Sequence, residues 1–267
     1  MRTEITHVQC KNSTLYCESY IPDVVPAPAV LICHGLNSQG FHILKVYAQF
    51  AKFACRKGFV AVLFDFRGAG KSTGTFDYGI GEQEDVRCML NYVASRPNVL
   101  SNEIFVVGHS LGGAVSIYAL QNEKRVKGLV LWSTPKNHDY NVRKFISCIR
   151  GKRGLYLFLI ASQIDKIIDV SRFYRLNVYG INLRPRDVRE KLMSLNECEA
   201  ISKLHGLPVL VVVGSDDKVV DVDEVLEVFD SAHGPKRFLT ITAADHTFRL
   251  KEDELASATI DWIVKWK

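Results

Sequence analysis

The sequence lacks the marks of membrane-spanning, secreted and repetitive proteins. None of its apolar runs approaches the roughly 18 residues that a helix needs to cross a bilayer. Residues 1–7 contain no apolar core of a signal peptide, and the chain has no internal repeat or low-complexity segment. We therefore predict a cytoplasmic protein with no stable insertion into membranes.

Patterns for metal, nucleotide and redox chemistry are missing as well. The seven cysteines stand at positions 10, 17, 33, 55, 88, 148 and 198, without a CxxC pair or metal-ligand spacing. We expect buried free thiols; Cys10 and Cys17 could face each other across a hairpin, but we predict no disulfide there. The glycine-rich residues 65–72 fail as a phosphate loop, because Asp65 stands where that motif requires glycine. No metal and no cofactor are predicted.

The net charge of +5 is small, but it is concentrated in one part of the chain. Residues 136–203 contain 14 lysines and arginines against 7 aspartates and glutamates. Such a surface could attract anionic substrates or lipid headgroups. Since no aromatic-basic interleaving or nucleic-acid motif accompanies it, we favour a solvated helical surface and predict no nucleic-acid partner.

The pattern of apolar runs predicts an α/β fold. Two alternating runs near the N-terminus indicate a hairpin, and six short apolar runs between residues 29 and 242 alternate with helical patterns. This order predicts a mostly parallel eight-stranded sheet flanked by helices. Residues 136–205 interrupt the alternation and are too long for a structureless loop. We predict a core of residues 1–135 and 206–267 and a mostly helical cap insertion of residues 136–205.

A serine stands where a strand pattern changes to a helix pattern. Gly108, Ser110 and Gly112 form the motif Gly-x-Ser-x-Gly, in which a sharp turn holds the hydroxyl above the sheet edge. A serine becomes a nucleophile only when a base takes its proton, and the base needs an acid to orient it. Asp217 and His246 each follow a predicted strand and can fill these two roles. Asp216 is the alternative to Asp217.

Together these motifs resemble the serine hydrolases of the α/β-hydrolase superfamily, in its esterase/lipase branch. The predicted cap resembles that of small cinnamoyl/feruloyl-type esterases and monoacylglycerol lipases. The motifs that carry the resemblance are His34-Gly35, Asp65-x-Arg67-Gly68-x-Gly70-x-Ser72, Gly108-His109-Ser110-Leu111-Gly112-Gly113, Gly214-x-x-Asp217-x-Val219-Val220 and Asp245-His246.

The resemblance implies a catalytic triad of Ser110, Asp217 and His246. It also implies that the backbone N–H groups of Leu36 and Leu111 hold the oxyanion that forms during acyl transfer. We interpret His34 as loop support and His109 as structural packing, because neighbours in a tight turn point apart. Asp245 is expected to set the loop that carries the histidine.

The predicted function is that of a serine carboxylesterase, which hydrolyses carboxylic esters through an acyl-enzyme on Ser110. Monoacylglycerol lipase, thioesterase and serine peptidase are alternatives with the same triad, and a non-catalytic binding protein is a rival from another class. Lipid hydrolysis requires an apolar cap mouth, which residues 156–160 could supply unless they are cap core. The expected partner is a small-molecule ester, and the expected state is a monomer or homodimer.

Overall fold

The computed structural model describes residues 1–164, 176–178 and 180–267. Eight strands form one sheet in the order β1-β2-β4-β3-β5-β6-β9-β10. The first two pairings, β1 with β2 and β2 with β4, are antiparallel, and the other five are parallel. The predicted mostly parallel sheet of eight strands is thus confirmed. The strands are β1 (Arg2–Cys10), β2 (Ser13–Ile21), β3 (Ala27–Cys33), β4 (Val60–Phe64), β5 (Val99–His109), β6 (Val126–Trp132), β7 (Leu176–Val178), β8 (Ile181–Leu183), β9 (Val209–Gly214) and β10 (Lys236–Ile241).

Helices cover both faces of this sheet, which explains why its central strands are apolar without alternation. In β3, Leu31 and Cys33 join the core on one face, while Val30 and Ile32 join the core on the other. Helices α1 and α8 pack on the second face, and α2, α3, α6 and α7 pack on the first. The helices are α1 (Lys45–Arg56), α2 (Gly81–Ala94), α3 (Leu111–Ala119), α4 (His138–Ile164), α5 (Pro185–Glu190), α6 (Glu197–Ser202), α7 (Val222–Ser231) and α8 (Glu252–Ile263).

Residues 136–205, hereafter the inserted segment, lie between the neighbouring strands β6 and β9. They contain the long helix α4, the short helices α5 and α6, and a hairpin in which β7 pairs with β8. The part of the predicted helical insertion at residues 165–175 and at residue 179 lies outside the described residues. Within the described ranges, no helix has the length and apolar character needed to cross a membrane.

The expectation of free thiols is wrong for one pair of cysteines. Cys10, at the end of β1, forms a disulfide with Cys88 on α2, 78 positions further along the chain. The hairpin register pairs Cys10 with Ser13 and Cys17 with Thr6, so Cys10 and Cys17 do not face each other. Helix packing against the edge strand brings the two bonded cysteines together, and spacing in the sequence does not reveal it. Cys17, Cys33, Cys55 and Cys198 are free, and the side chain of Cys148 lies outside the described part.

Candidate active site

Ser110 occupies a strained turn between β5 and α3. Its backbone has φ +53° and ψ −121°, a region that residues other than glycine rarely adopt. Its N–H group donates a hydrogen bond of 2.8 Å to the carbonyl of Trp132, at the end of the neighbouring strand β6. This bond and the start of α3 hold the serine at the carboxyl edge of the sheet, where the positive end of the helix dipole lies.

The two glycines of the motif allow backbone segments to meet around the serine. A Cβ atom at Gly108 would lie 2.5 Å from the Cα of Gly113, on the first turn of α3. A Cβ atom at Gly112 would lie 2.3 Å from the carbonyl oxygen of Cys33 and 2.4 Å from that of His34. Because these neighbours are backbone atoms, no side-chain rotation could make room. A larger residue at Gly108 would push the end of β5 away from α3, and a larger residue at Gly112 would separate α3 from the end of β3 and the loop after it.

Asp217 and His246 meet in the loops after β9 and β10. His246 Nδ1 lies 2.8 Å from Asp217 Oδ2, and Asp217 Oδ1 accepts bonds of 2.9 Å from the N–H groups of Val219 and Val220. Burial of Asp217 opposes its ionisation. The hydrogen bonds from His246 and from the two peptide groups outweigh burial, so the pKa of Asp217 lies below its ordinary value. The carboxylate is therefore ionised and fixed toward His246.

The alternative acid, Asp216, forms no hydrogen bond with His246, which bonds Asp217; the Oδ1 atom of Asp216 accepts a hydrogen bond of 3.1 Å from Ser215 Oγ. The expectation for Asp245 is confirmed. Its Oδ1 accepts bonds from the N–H groups of Thr247 at 2.9 Å and Arg249 at 3.1 Å, and so shapes the loop around His246.

A cavity of about 230 Å³ lies above the serine. Ser110, His246 and both predicted oxyanion residues, Leu36 and Leu111, line it. Leu111 is the first residue of α3, so its N–H group has no partner within the helix. Ser110 Oγ makes no hydrogen bond to any residue that the structure describes. The hydrogen bond between a nucleophile and its base is often long until substrate binds. The inserted segment contributes His138, Asn141, Val142, Val178, Leu183 and Leu192 to the lining.

The run that could have formed an apolar mouth, residues 156–160, does not contribute to this lining. Phe158 is fully buried, whereas Tyr156 and Leu157 are 67% and 55% exposed. The run is therefore divided between the interior of the inserted segment and its outer surface. The apolar wall that faces the serine comes from other parts of the segment.

His109 has a larger role than the packing that the sequence suggested. Its Nε2 bonds the carbonyl of His246 at 2.8 Å, and its Nδ1 bonds the Tyr47 hydroxyl at 2.6 Å. The carbonyl can only accept, so Nε2 carries the proton and Nδ1 accepts from Tyr47. The same Tyr47 oxygen accepts a bond of 3.0 Å from Gly35 N–H. His109 and Tyr47 thus join the serine turn to the His246 loop and to the loop that holds Leu36.

Burial keeps two histidines at this site neutral. It lowers the pKa of His109 to about 3 and the pKa of His34 to about 4, well under the ordinary value of 6.5. His34 Nε2 accepts a bond of 3.1 Å from Phe66 N–H, and its Nδ1 bonds the Gly35 carbonyl at 2.7 Å. His34 therefore supports the loop after β3, as predicted.

The glycine-rich loop after β4 is likewise structural. Asp65 accepts bonds of 2.9 Å from the N–H groups of Phe41 and Lys71, and the buried Arg67 forms an ion pair with Asp85 on α2. Across the described ranges, no three His, Cys, Asp or Glu side chains are grouped so that they could hold a metal ion.

The eight-stranded sheet and the serine turn at its carboxyl edge define an α/β hydrolase. A family model described as "Serine aminopeptidase, S33" matches residues 25–253. This match covers well over half of the chain, which therefore belongs to that hydrolase family.

Comparison with curated proteins gives relatives of low identity that match most of this chain. The monoglyceride lipase homolog of monkeypox virus is 21% identical over 267 residues, 96% of this chain and 94% of the relative. The monoglyceride lipase of Mus musculus is 23% identical over 97% of this chain and 88% of its own. Phospholipase YtpA of Bacillus subtilis is 23% identical over 77% of this chain and 82% of its own.

Comparison with solved structures agrees on the fold. The α/β hydrolase GrgF from Penicillium sp. has a TM-score of 0.78 at 16% identity, over 100% of this chain and 99% of its own. Est1E from Butyrivibrio proteoclasticus with bound ferulic acid has a TM-score of 0.74 at 17% identity, over 98% of both chains. Identities this low establish shared architecture and leave the substrate open.

Proposed function

We propose that this protein is a serine carboxylesterase that hydrolyses small carboxylic esters through an acyl-enzyme on Ser110. The observation that carries the proposal is the hydrogen bond from His246 to the buried, ionised Asp217, beside the cavity that Ser110 lines. An imidazole oriented in this way can take a proton on its other nitrogen, and Ser110 is the hydroxyl that the strained turn presents to the same cavity.

In the proposed reaction, Ser110 Oγ attacks the ester carbonyl while His246 Nε2 takes its proton. Asp217 keeps the imidazole in the required tautomer and stabilises its charged form. Collapse of the tetrahedral intermediate breaks the bond to the alcohol, which leaves with the proton from His246. Water then attacks the acyl-enzyme by the same steps and releases the acid.

The proposed oxyanion donors are the backbone N–H groups of Leu36 and Leu111. Both residues line the cavity, from the loop after β3 and the first turn of α3 respectively. Each donor of this kind typically contributes about 10²–10³ in rate. Because the backbone donates, replacement of either leucine side chain should change substrate fit more than oxyanion binding.

We further propose that the inserted segment acts as a cap whose side chains select the ester. Its valines and leucines form much of the apolar wall opposite Ser110, which suits an apolar acyl or alcohol group. That apolar wall, with the relatives named monoglyceride lipase, favours monoacylglycerol lipase as the second candidate. Thioesterase and serine peptidase activity remain alternatives with the same residues. A non-catalytic binding protein is the alternative from another class, and a labelling experiment distinguishes it from an enzyme.

The first test compares Ser110→Ala with the matched control Ser257→Ala, at an exposed serine on α8. Hydrolysis of p-nitrophenyl esters of rising chain length, feruloyl esters and monoacylglycerols would be measured. We expect Ser110→Ala to lower kcat by about 10⁶-fold with folding intact, and the control to keep full activity. Substantial ester hydrolysis by Ser110→Ala would overturn the assignment. Absence of a fluorophosphonate adduct on Ser110 of the wild type would favour a binding protein.

The acid is tested with adjacent variants. Asp217→Asn should lower kcat by about 10⁴-fold, because an amide stabilises the wrong imidazole tautomer. Asp216→Asn is the matched control and should stay close to wild type. The reverse ranking of the two variants would show that Asp216 is the orienting acid.

A further inference from the structure

The cavity contains a second histidine–carboxylate pair, separate from His246 and Asp217. His138, the first residue of α4, lines the cavity and is 8% exposed. Its Nε2 lies 3.3 Å from Oε1 of Glu197, the first residue of α6. Glu197 is fully buried, and neither of its carboxylate oxygens has a hydrogen-bond partner of good geometry in the described part of the chain.

The contact with Glu197 occupies one ring nitrogen of His138, Nε2, and leaves the other, Nδ1, for a ligand. A neutral imidazole has one donor nitrogen and one acceptor nitrogen, and an imidazolium has two donors. Nδ1 can therefore form a hydrogen bond with a ligand whichever nitrogen carries the proton.

Nδ1 of His138 is available to a ligand. Nε2 of His138 faces Glu197 and is closed off from solvent, whereas Nδ1 is not enclosed in this way. His138 also forms no hydrogen bond with any other residue in the described ranges. The cavity around it is mainly apolar, with Pro135 and Val142 as neighbours along the chain. A polar atom in a mainly apolar wall helps to fix the orientation of a bound ligand.

The chemistry around Nδ1 selects the kind of ligand group. A substrate carboxylate at His138 would bring a charge close to the carboxyl group of Glu197, and it could only accept a hydrogen bond. The cavity offers no compensating lysine or arginine among the described residues of its lining. A hydroxyl group can donate to Nδ1 or accept from it without adding charge, so its burial costs less.

We propose that His138, backed by Glu197, is a specificity-determining residue that binds a hydroxyl group of the ester substrate. This inference rests on the proposed esterase function and names the substrate class as hydroxyl-bearing esters. The hydroxyl can belong to the alcohol that leaves or to the acyl chain, and the two sources are separated by experiment.

The experiment compares kcat/KM for two matched pairs of esters, in which a methyl group replaces the hydroxyl. 2-Hydroxyethyl butyrate is paired with propyl butyrate, and ethyl 6-hydroxyhexanoate with ethyl heptanoate. A hydrogen bond contributes about 0.5–1.5 kcal/mol, so the wild type should prefer one hydroxylated ester by roughly 2- to 12-fold. The pair that shows the preference identifies the side of the ester that reaches His138.

His138→Leu should bring the ratio of kcat/KM for the hydroxylated ester to kcat/KM for its methyl counterpart close to one. His138→Phe, which keeps a ring of similar shape without a donor, is the second variant in case leucine disturbs folding. His233→Leu, at an exposed histidine, is the matched control and should keep the preference. Labelling of Ser110 by a fluorophosphonate checks that each variant is folded.

A wild-type enzyme without preference in either pair would overturn the inference, and so would a preference that survives both His138 variants. Failure of the proposed function has a different signature. In that case the wild type would hydrolyse none of the four esters and Ser110 would not be labelled, whereas hydrolysis of the methyl esters without discrimination would refute only the assignment of His138.

Discussion

Replacement of Tyr47 by phenylalanine removes one hydroxyl group that joins two loops of the active site. That hydroxyl accepts from Gly35 N–H at 3.0 Å and bonds His109 Nδ1 at 2.6 Å. All three groups are buried, so water cannot take its place without rearrangement. A buried polar group left unpaired costs about 1–3 kcal/mol. With two groups left unpaired, Tyr47→Phe should lower the free energy of unfolding by about 2–6 kcal/mol.

The same change should slow the reaction. Gly35 directly precedes Leu36, whose N–H is a proposed oxyanion donor, and His109 bonds the carbonyl of His246. Loss of one whole oxyanion donor costs about 10²–10³ in rate, so a displaced donor should lower kcat by roughly 10- to 100-fold. KM should change less, because the apolar lining of the cavity is unaltered.

Urea denaturation and steady-state hydrolysis of p-nitrophenyl butyrate measure the two effects. Tyr156→Phe is the matched control, because that tyrosine is 67% exposed and the same hydroxyl is lost to solvent. It should stay within 0.5 kcal/mol of wild type in stability, in line with surface substitutions generally. If Tyr47→Phe matches the control in both stability and kcat, the hydroxyl does not hold the loops as argued.

Two further predictions concern stability. Reduction of the Cys10–Cys88 disulfide, or Cys88→Ser, should lower the free energy of unfolding by about 2–4 kcal/mol because the bond closes a long loop; an unchanged denaturation midpoint would contradict this. His109 has a pKa of about 3 in the folded protein and an ordinary value of 6.5 in the unfolded chain. Between pH 6.5 and 3 only the unfolded chain binds this proton. His109 should therefore lower the free energy of unfolding as pH falls through that range. Burial raises the pKa of Glu82 to about 7, so Glu82 should raise the free energy of unfolding as pH falls from 7 to 4.5. The histidine contribution is therefore measured as the difference between wild type and His109→Gln, about 1.4 kcal/mol per pH unit, and equal pH dependence of the two proteins would refute it.

The sequence was sufficient for those features that local patterns encode. Buried strands such as β3 are short apolar runs, and the turn at Ser110 has glycines at fixed offsets because backbone atoms approach there. Asp217 and His246 were found because each follows a strand, and the carboxyl ends of parallel strands share one edge of the sheet. Their hydrogen bond of 2.8 Å agrees with that expectation, while their catalytic roles stay a proposal.

Features that depend on packing between distant elements were missed. Tyr47 sits on the apolar face of α1 and has the pattern of an ordinary core residue, so its bond to His109, 62 positions away, has no local signal. The Cys10–Cys88 disulfide depends on how α2 packs on β1. The hairpin of β7 and β8 was missed for another reason, since strands of three residues are too short to show alternation. Disulfides are rare in reducing compartments, and the cytoplasmic location stays a prediction.

The serine turn is the common point of attachment for the loops that the proposed reaction needs. Its residues bond Trp132 through Ser110 N–H and His246 through His109, and Gly112 packs against the backbone after β3. A position fixed from several directions can hold the strained backbone of Ser110. The residues of the inserted segment that line the cavity take no part in these bonds. It follows that changes at the turn should lower kcat for every ester alike, whereas changes in the inserted segment should alter which ester is preferred.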